Sequence, residues 1–238
     1  TYHSLQVKVN RRLSQTLTYG LAYTFSKSID NASSDRNGTD VPPDSRNARA
    51  ERAPSDFDRA HILTVNYIWR LPRLVRRRGP LAWTLNGWQS TGILRFWTGK
   101  PFDVTLSSDG AGIGTTQNQR PDVIADTRGP RTVEEWFNRN AFARPAPGTF
   151  GNMGRNSLRG PGIHKWDLAV FKNFRWTEQV RAQFRAEMFN AFNHASFTTV
   201  GTSLTTTAAG VNPAANSFAV VTGTRDARVV QFGLRITF

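Results

Sequence analysis

The sequence predicts an all-β protein, an antiparallel transmembrane β-barrel segment of about seven strands carrying long outer loops. Three observations support that prediction. Apolar and polar residues alternate with period two in seven separate runs. Short connections alternate with long ones. Aromatic residues collect at the predicted strand ends.

The first run sets Leu5, Val7 and Val9 against Gln6, Lys8 and Asn10. The second sets Leu17, Tyr19, Leu21, Tyr23 and Phe25 against Thr18, Gly20, Ala22, Thr24 and Ser26. Leu63, Val65, Tyr67 and Trp69 form the third, with Ile62 and Ile68 blurring it. Trp88, Leu94 and Phe96 form the fourth, blurred by Ile93 and Trp97, with a possible continuation past Pro101 through Phe102, Val104 and Leu106. The fifth has Trp166, Leu168, Val170 and Phe174 on one side. Lys172 interrupts that side near its end, where a long stem reaches water by snorkelling. The sixth has Val180, Ala182, Phe184, Ala186 and Met188 against Gln179, Arg181, Gln183, Arg185 and Glu187. Its apolar set recurs every second residue and would wrap right round a helix, so strand is the better assignment. The seventh has Val230, Phe232, Leu234, Ile236 and Phe238 against Gln231, Gly233, Arg235 and Thr237.

The connections follow a rhythm. Segments 13–16, 71–84 and 175–178 are short or intermediate, whereas 28–58, 107–162 and 192–226 are long and rich in Gly, Pro, Asn, Asp, Ser and Thr. A compact soluble domain rarely carries so many long irregular loops. Antiparallel strands across a bilayer require every second connection to return to the same rim, and outer-membrane barrels have short turns at one rim and long loops at the other. Aromatics fit interfacial belts: Tyr67, Trp69, Trp83, Trp88, Phe174, Trp176 and Phe238 at the inner rim, and Phe25, Phe96, Trp97, Trp166, Phe189 and Phe192 at the outer rim. Soluble sandwiches also carry aromatics at strand ends, so the belt supports the assignment without deciding it.

Composition agrees. Only 38% of the residues are hydrophobic, which suits strands that are wet on one face. No run approaches the roughly 18 apolar residues of a membrane helix. Cysteine is absent, which excludes disulfide and thiolate chemistry. The net charge of +14 would ordinarily point to nucleic acid. The cations are spread along the chain, however, and only Arg70, Arg73, Arg76, Arg77 and Arg78 are dense. No zinc-finger, helix-turn-helix or RNP-type pattern accompanies them, so no nucleic-acid partner is expected.

Seven strands leave two raw edges, and single-chain bacterial barrels have even strand numbers. The stretch 1–238 therefore reads as part of a larger barrel. It begins Thr1-Tyr2-His3-Ser4 with no Met or signal pattern, as expected of a processed chain or a piece of a longer one.

The stretches LAYTFSKSIDNAS, APSDFDRAH, GWQSTGILRFWTGKPF, WFNRNAF, GTFGNMGRNSLRGPG, DLAVFKNFRWTE, QFRAEMFNAFNH and VVQFGLRITF span nearly the whole chain in order. Together they resemble the C-terminal barrel portion of a TonB-dependent outer-membrane receptor of the Oar-like group, whose members carry a carboxypeptidase-regulatory-like domain at the N-terminus. The resemblance implies a barrel of about 22 strands in the bacterial outer membrane, blocked by a plug, with energy delivered by TonB. The plug and the N-terminal domain fall outside 1–238 on this reading. The resemblance also implies that the final strand, through Phe232, Leu234, Ile236 and Phe238, is read by the outer-membrane assembly machinery. Expected partners are outer-membrane lipid and lipopolysaccharide, the plug and remaining strands, TonB and that machinery. Ligand uptake is the leading expectation. A surface-adhesion or structural role and a soluble basic nucleic-acid-binding β-domain are the alternatives.

No catalytic site emerges. His3, His61, His164 and His194 have no ligand spacing among them, and no serine sits in a nucleophile elbow. Neither a cofactor nor an enzymatic activity is expected. The only candidate metal ligands are Asp30, Asp35, Asn37 and Asp40, which form an oxygen-rich set without the bidentate Glu of a calcium loop; Asx turns account for them. The Gly-rich GTFGNMGRNSLRGPG lacks the Lys-Ser/Thr of a phosphate loop and reads as an ordered outer loop turned by its glycines. Trp136, Phe137 and Phe142 either anchor the longest loop over the barrel mouth or meet a ligand. Arg95, Arg181, Arg185, Glu187 and Arg235 face the lumen, where a plug, water or ligand would meet them. The Arg70–Arg78 stretch falls at the inner rim, as a solvated turn or a contact for acidic partners or phospholipid headgroups.

Overall fold

The computed structural model describes residues 1–34, 41–77, 79–175, 177, 179–207, 210–215 and 217–238. Seven long strands carry the fold: β1 (Tyr2–Arg12), β2 (Leu17–Asp30), β3 (His61–Arg70), β4 (Trp88–Trp97), β5 (Ile163–Arg175), β6 (Arg181–Phe189) and β7 (Val229–Thr237). Each pairs antiparallel with its sequence neighbours in one meander, and the two-residue strand Ala53–Pro54 adds to the tip of β2. Every run anticipated from alternation is present.

Register separates the two faces cleanly. Directly opposed residues share a face. One row reads Val9, Leu21, Val65, Leu94 and Trp166 across five strands; the next reads Asn10, Gly20, Asn66, Ile93 and Asp167. Further along, Tyr19, Tyr67, Gly92, Leu168, Met188 and Val230 line up, followed by Thr18, Ile68, Thr91, Ala169, Glu187 and Gln231. Ile62, Ile68, Ile93 and Trp97, which blur the pattern in sequence, belong to the polar face.

The apolar face is not a core. Leu5, Val7, Val9, Phe25, Trp69, Phe184, Val230, Phe232, Leu234 and Ile236 all stand exposed. An apolar face of this extent cannot be left to water, and a bilayer satisfies it. The buried core lies instead in the long connections. Val104, Leu106, Phe137, Phe142, Met153, Leu158, Val200, Leu204, Phe218 and Val221 pack together there. Phe218 meets Phe137 at 5.2 Å and Phe142 at 5.8 Å between ring centroids, both edge-on. Thr105–Leu106 runs parallel to Ser203–Leu204, joining segments 98–162 and 190–228 into one layer.

Two expectations need correction. β4 does not continue past Pro101. It ends at Trp97, and Phe102, Val104 and Leu106 turn into the loop core, where their apolar alternation is buried against other loops. Gly99 makes that turn close: a Cβ there would lie 1.8 Å from the Gly160 carbonyl oxygen. Lys172 does not snorkel. It is 3% exposed on the apolar face, held by a short helix described below. In addition, Trp97 and Phe189 reach the outer rim on the polar face, opposite Ile163 and Val229.

Candidate functional site

The loop layer is fastened to the strand tips by buried and half-buried ion pairs. The end of the first long connection, Ala53 to His61, folds back on β2: the Ser55 amide donates to the Ser28 carbonyl at 3.0 Å, and Ser55 Oγ to Ser28 Oγ at 2.9 Å. This turn buries the Asp58 carboxylate, which accepts from the Ser28 amide at 2.7 Å and from Arg159 Nη2 at 2.5 Å. Arg59 reaches the Thr98 carbonyl at 2.6 Å and lies over the Trp97 ring at 5.5 Å.

Arg155 is the centre of a second cluster. Its guanidinium donates to Asp30 Oδ1 at 2.8 and 2.9 Å, to Ser33 Oγ at 2.7 Å and to the Glu51 carbonyl at 3.1 Å. Asn156, at φ +53°, turns its side chain back to the Pro54 carbonyl at 2.7 Å and to Asp56 at 2.6 Å. Its amide donates to Asp103. Arg120 forms a two-pronged pair with Glu51, one arm at 3.0 Å, and donates Nε–H to the Met153 carbonyl at 3.0 Å. Bidentate geometry and buried carbonyl acceptors fix these arginines in direction as well as place.

Asp103 lies beside Arg120 at 3.8 Å, yet burial pushes its carboxyl up to about 6, against the pull of Arg120 and of the Asn156 amide. Asp109 behaves oppositely. The Gln119 side chain and the amides of Gly112, Ile113 and Gly114 hold its carboxyl below the ordinary range. Glu51, Asp56, Asp103, Arg120, Arg155 and Asn156 together line an open polar cavity of about 370 Å³. Its walls carry carboxylates and guanidinium groups beside Pro101 and Phe102, so the cavity is polar in character.

The residues singled out from sequence fall into three places. Phe137 is 3% exposed in the middle of the loop core, and Trp136 packs beside it with Nε1 donating to the Arg159 carbonyl at 2.9 Å. Arg95, Arg181, Arg185, Glu187 and Arg235 all lie on the polar face of the sheet. Arg95 pairs with Asp167 at 3.6 Å, and Arg185 with Glu187 at 3.9 Å while crossing Gly233. Phe232, Leu234 and Ile236 lie on the apolar face, Phe232 beside Phe184 at 6.0 Å, and Phe238 stands beyond the last paired residue. Of the candidate metal ligands, Asp30 is in the Arg155 pair; Asp35, Asn37 and Asp40 lie outside the described residues. Sequence reasoning quoted APSDFDRAH and GRNSLRG without seeing that they meet, and missed Glu51, Asp103 and Arg120. The available signal was charge, namely isolated Arg, Asp and Glu within Gly- and Pro-rich loops.

An antiparallel sheet with an apolar outer face, a polar inner face and all its long loops at one rim defines an outer-membrane-type β-barrel wall. Residues 1–231 match the family model of the outer membrane beta barrel domain, and the chain belongs to that family. Its place is the bacterial outer membrane. Comparison with curated proteins and with solved structures returned no match.

Proposed function

We propose that this chain forms wall and outer loops of a TonB-dependent receptor of the Oar-like group, serving uptake of a solute too large or too scarce for porins. A metal chelate, a glycan fragment or a peptide fits that description. The observation that carries the reading is the Arg155–Asp30–Glu51–Arg120 cluster. It holds a folded loop layer and a polar cavity at the mouth of the wall, where an incoming solute is met first. The solute binds at the loops and passes once a plug rearranges. The polar-face residues Arg95, Arg181, Arg185, Glu187 and Arg235 line the route and pair with plug or water. The open edges of β1 and β7 call for further strands, and TonB would act through a region outside this stretch. No bond chemistry is assigned to it. Lipid and lipopolysaccharide surround the wall, and the assembly machinery reads the terminal strand.

The test is nutrient-limited growth of host cells on iron chelates, oligosaccharides or peptides, comparing wild type, a deletion of this gene and a TonB-null strain. Loss of growth on one nutrient in both mutants supports uptake. Growth unchanged on every nutrient, with altered cell attachment in the deletion, overturns it in favour of adhesion.

A further inference from the structure

The connection 71–87 holds a helix, α1 (Pro80–Leu85), of one and a half turns. Gly87, at φ +82°, ends it and feeds the chain into β4. The helix does not project from the rim. Lys172 on β5 points out of the apolar face, in the row of Trp88 and Phe184, and donates Nζ–H to the carbonyls of Thr84, at 2.9 Å, and Asn86. The Trp83 ring meets Phe174, on the same face, at 4.8 Å between centroids. The helix is thus pinned against the lipid side of the wall.

Two further features adjoin it. Leu74, Leu81, Trp83 and Leu85 are exposed around the helix, continuous with the apolar wall. The strand-to-helix segment folds back onto the helix end: the amides of Leu74 and Val75 donate to Asn86 Oδ1 at 2.8 and 3.1 Å, and Asn86 Nδ2 returns to the Val75 carbonyl at 2.7 Å. That clamp sets exposed Arg73, Arg76 and Arg77 beside the apolar patch. None of the three has a carboxylate partner among the described residues, and no Asp or Glu occurs in the sequence between Asp58 and Asp103. The same rim carries Arg11, Arg12, Arg175 and Arg181.

We propose that segment 71–87 is an interfacial binding site for an anionic phospholipid of the inner leaflet. Leu74, Leu81, Trp83 and Leu85 lie among the acyl chains, and Arg73, Arg76 and Arg77 hold the headgroup phosphate. Apolar contact continuous with the lipid-facing wall fixes the depth, and unpaired arginines select the charge. This rests on the outer-membrane orientation proposed above, in which 71–87 faces the periplasm.

The test uses the full-length protein, extracted in mild detergent and titrated with phosphatidylglycerol, phosphatidylethanolamine or inorganic phosphate under native mass spectrometry. Phosphatidylglycerol should be retained in preference to the other two, and the triple variant R73Q/R76Q/R77Q should weaken it on the order of a hundredfold. The triple Lys variant should keep most of the binding, and L81S/L85S should lose it. Equal retention of both lipids, binding of phosphate alone, or no effect of the Gln triple overturns the proposal. Trypsin separates this failure from failure of the orientation. Cleavage in 71–87 on intact cells refutes the orientation itself; cleavage only after outer-membrane permeabilisation, without lipid preference, refutes the lipid site alone.

Discussion

Arg155 and Asp30 are 125 residues apart in sequence and share two hydrogen bonds, at 2.8 and 2.9 Å to one carboxylate oxygen. That pair ties the longest loop to the tip of β2. The guanidinium is buried, but the Asp30 carboxylate is partly open to water and keeps Ser33 Oγ as a donor, so removing Arg155 should cost about 1–3 kcal/mol, less than for a fully buried pair. Arg155→Met should therefore loosen the loop layer while the strands, which do not depend on it, stay assembled. Protease shaving of intact cells should cut within 98–162 much faster in the variant, with the barrel's heat-modifiable mobility unchanged. Equal cutting would mean that the loop core holds the layer without the latch.

Asp103 gives the same layer a pH dependence. Its carboxyl titrates near 6 when folded, against 3.8 ordinarily, because burial disfavours its charged form. The folded layer thus binds more protons than the unfolded one between those values, and stability falls as pH rises through that window and levels off above it. Shaving rates measured from pH 4 to 7 should climb in the wild type. Asp103→Asn, which keeps an acceptor for the Asn156 amide, should flatten the profile.

Alternation found the wall because a membrane strand must put every second residue into lipid. Val9, Leu21, Val65 and Leu94 announce that row without any knowledge of the fold. It could not find the loop core, since Phe137, Phe142 and Phe218 come from two irregular segments whose contacts obey no period. Nor could it find the Glu51–Arg120 pair, 69 residues apart, because partners in an ion pair leave no spacing signal. Lys172 looked like an end-of-strand cation free to reach water. The helix that covers it is six residues long, too short to show a periodic face.

Phe238 offers a test of the terminal strand. It is 95% exposed and follows Thr237, the last residue paired to β6, so truncating it removes almost no intramolecular packing. Phe238→Ala should change the stability of the folded protein by less than about 0.5 kcal/mol. If the terminal aromatic is read during assembly, the amount in the outer membrane should nevertheless fall severalfold on immunoblots, and Phe238→Trp should restore it. Wild-type levels of the Ala variant would reduce Phe238 to a belt aromatic.

Lys172 is the one strand lysine on the apolar face that is buried, and its charge meets no carboxylate among the described residues. The carbonyls of Thr84 in α1 and of Asn86 at its C-terminal cap, with the π faces of Trp88, at 5.0 Å, and Phe174, at 5.3 Å, take the place of water. Such a cation contributes little net stability, since its desolvation offsets what the acceptors return. Its effect is positional: without the ammonium, the Asn86 carbonyl loses its donor, whereas the Thr84 carbonyl keeps Trp88 Nε1 at 2.9 Å. Lys172→Met fills the same volume without charge on a face that already suits lipid. The barrel should therefore assemble normally, while α1 detaches more often from the wall. Trypsin applied to permeabilised cells should cut at Arg73, Arg76 or Arg77 severalfold faster in the variant than in the wild type. Lys172→Arg, which keeps a donor, should fall between them. Unchanged cutting in Lys172→Met would show that the Trp83–Phe174 contact alone holds the helix in place.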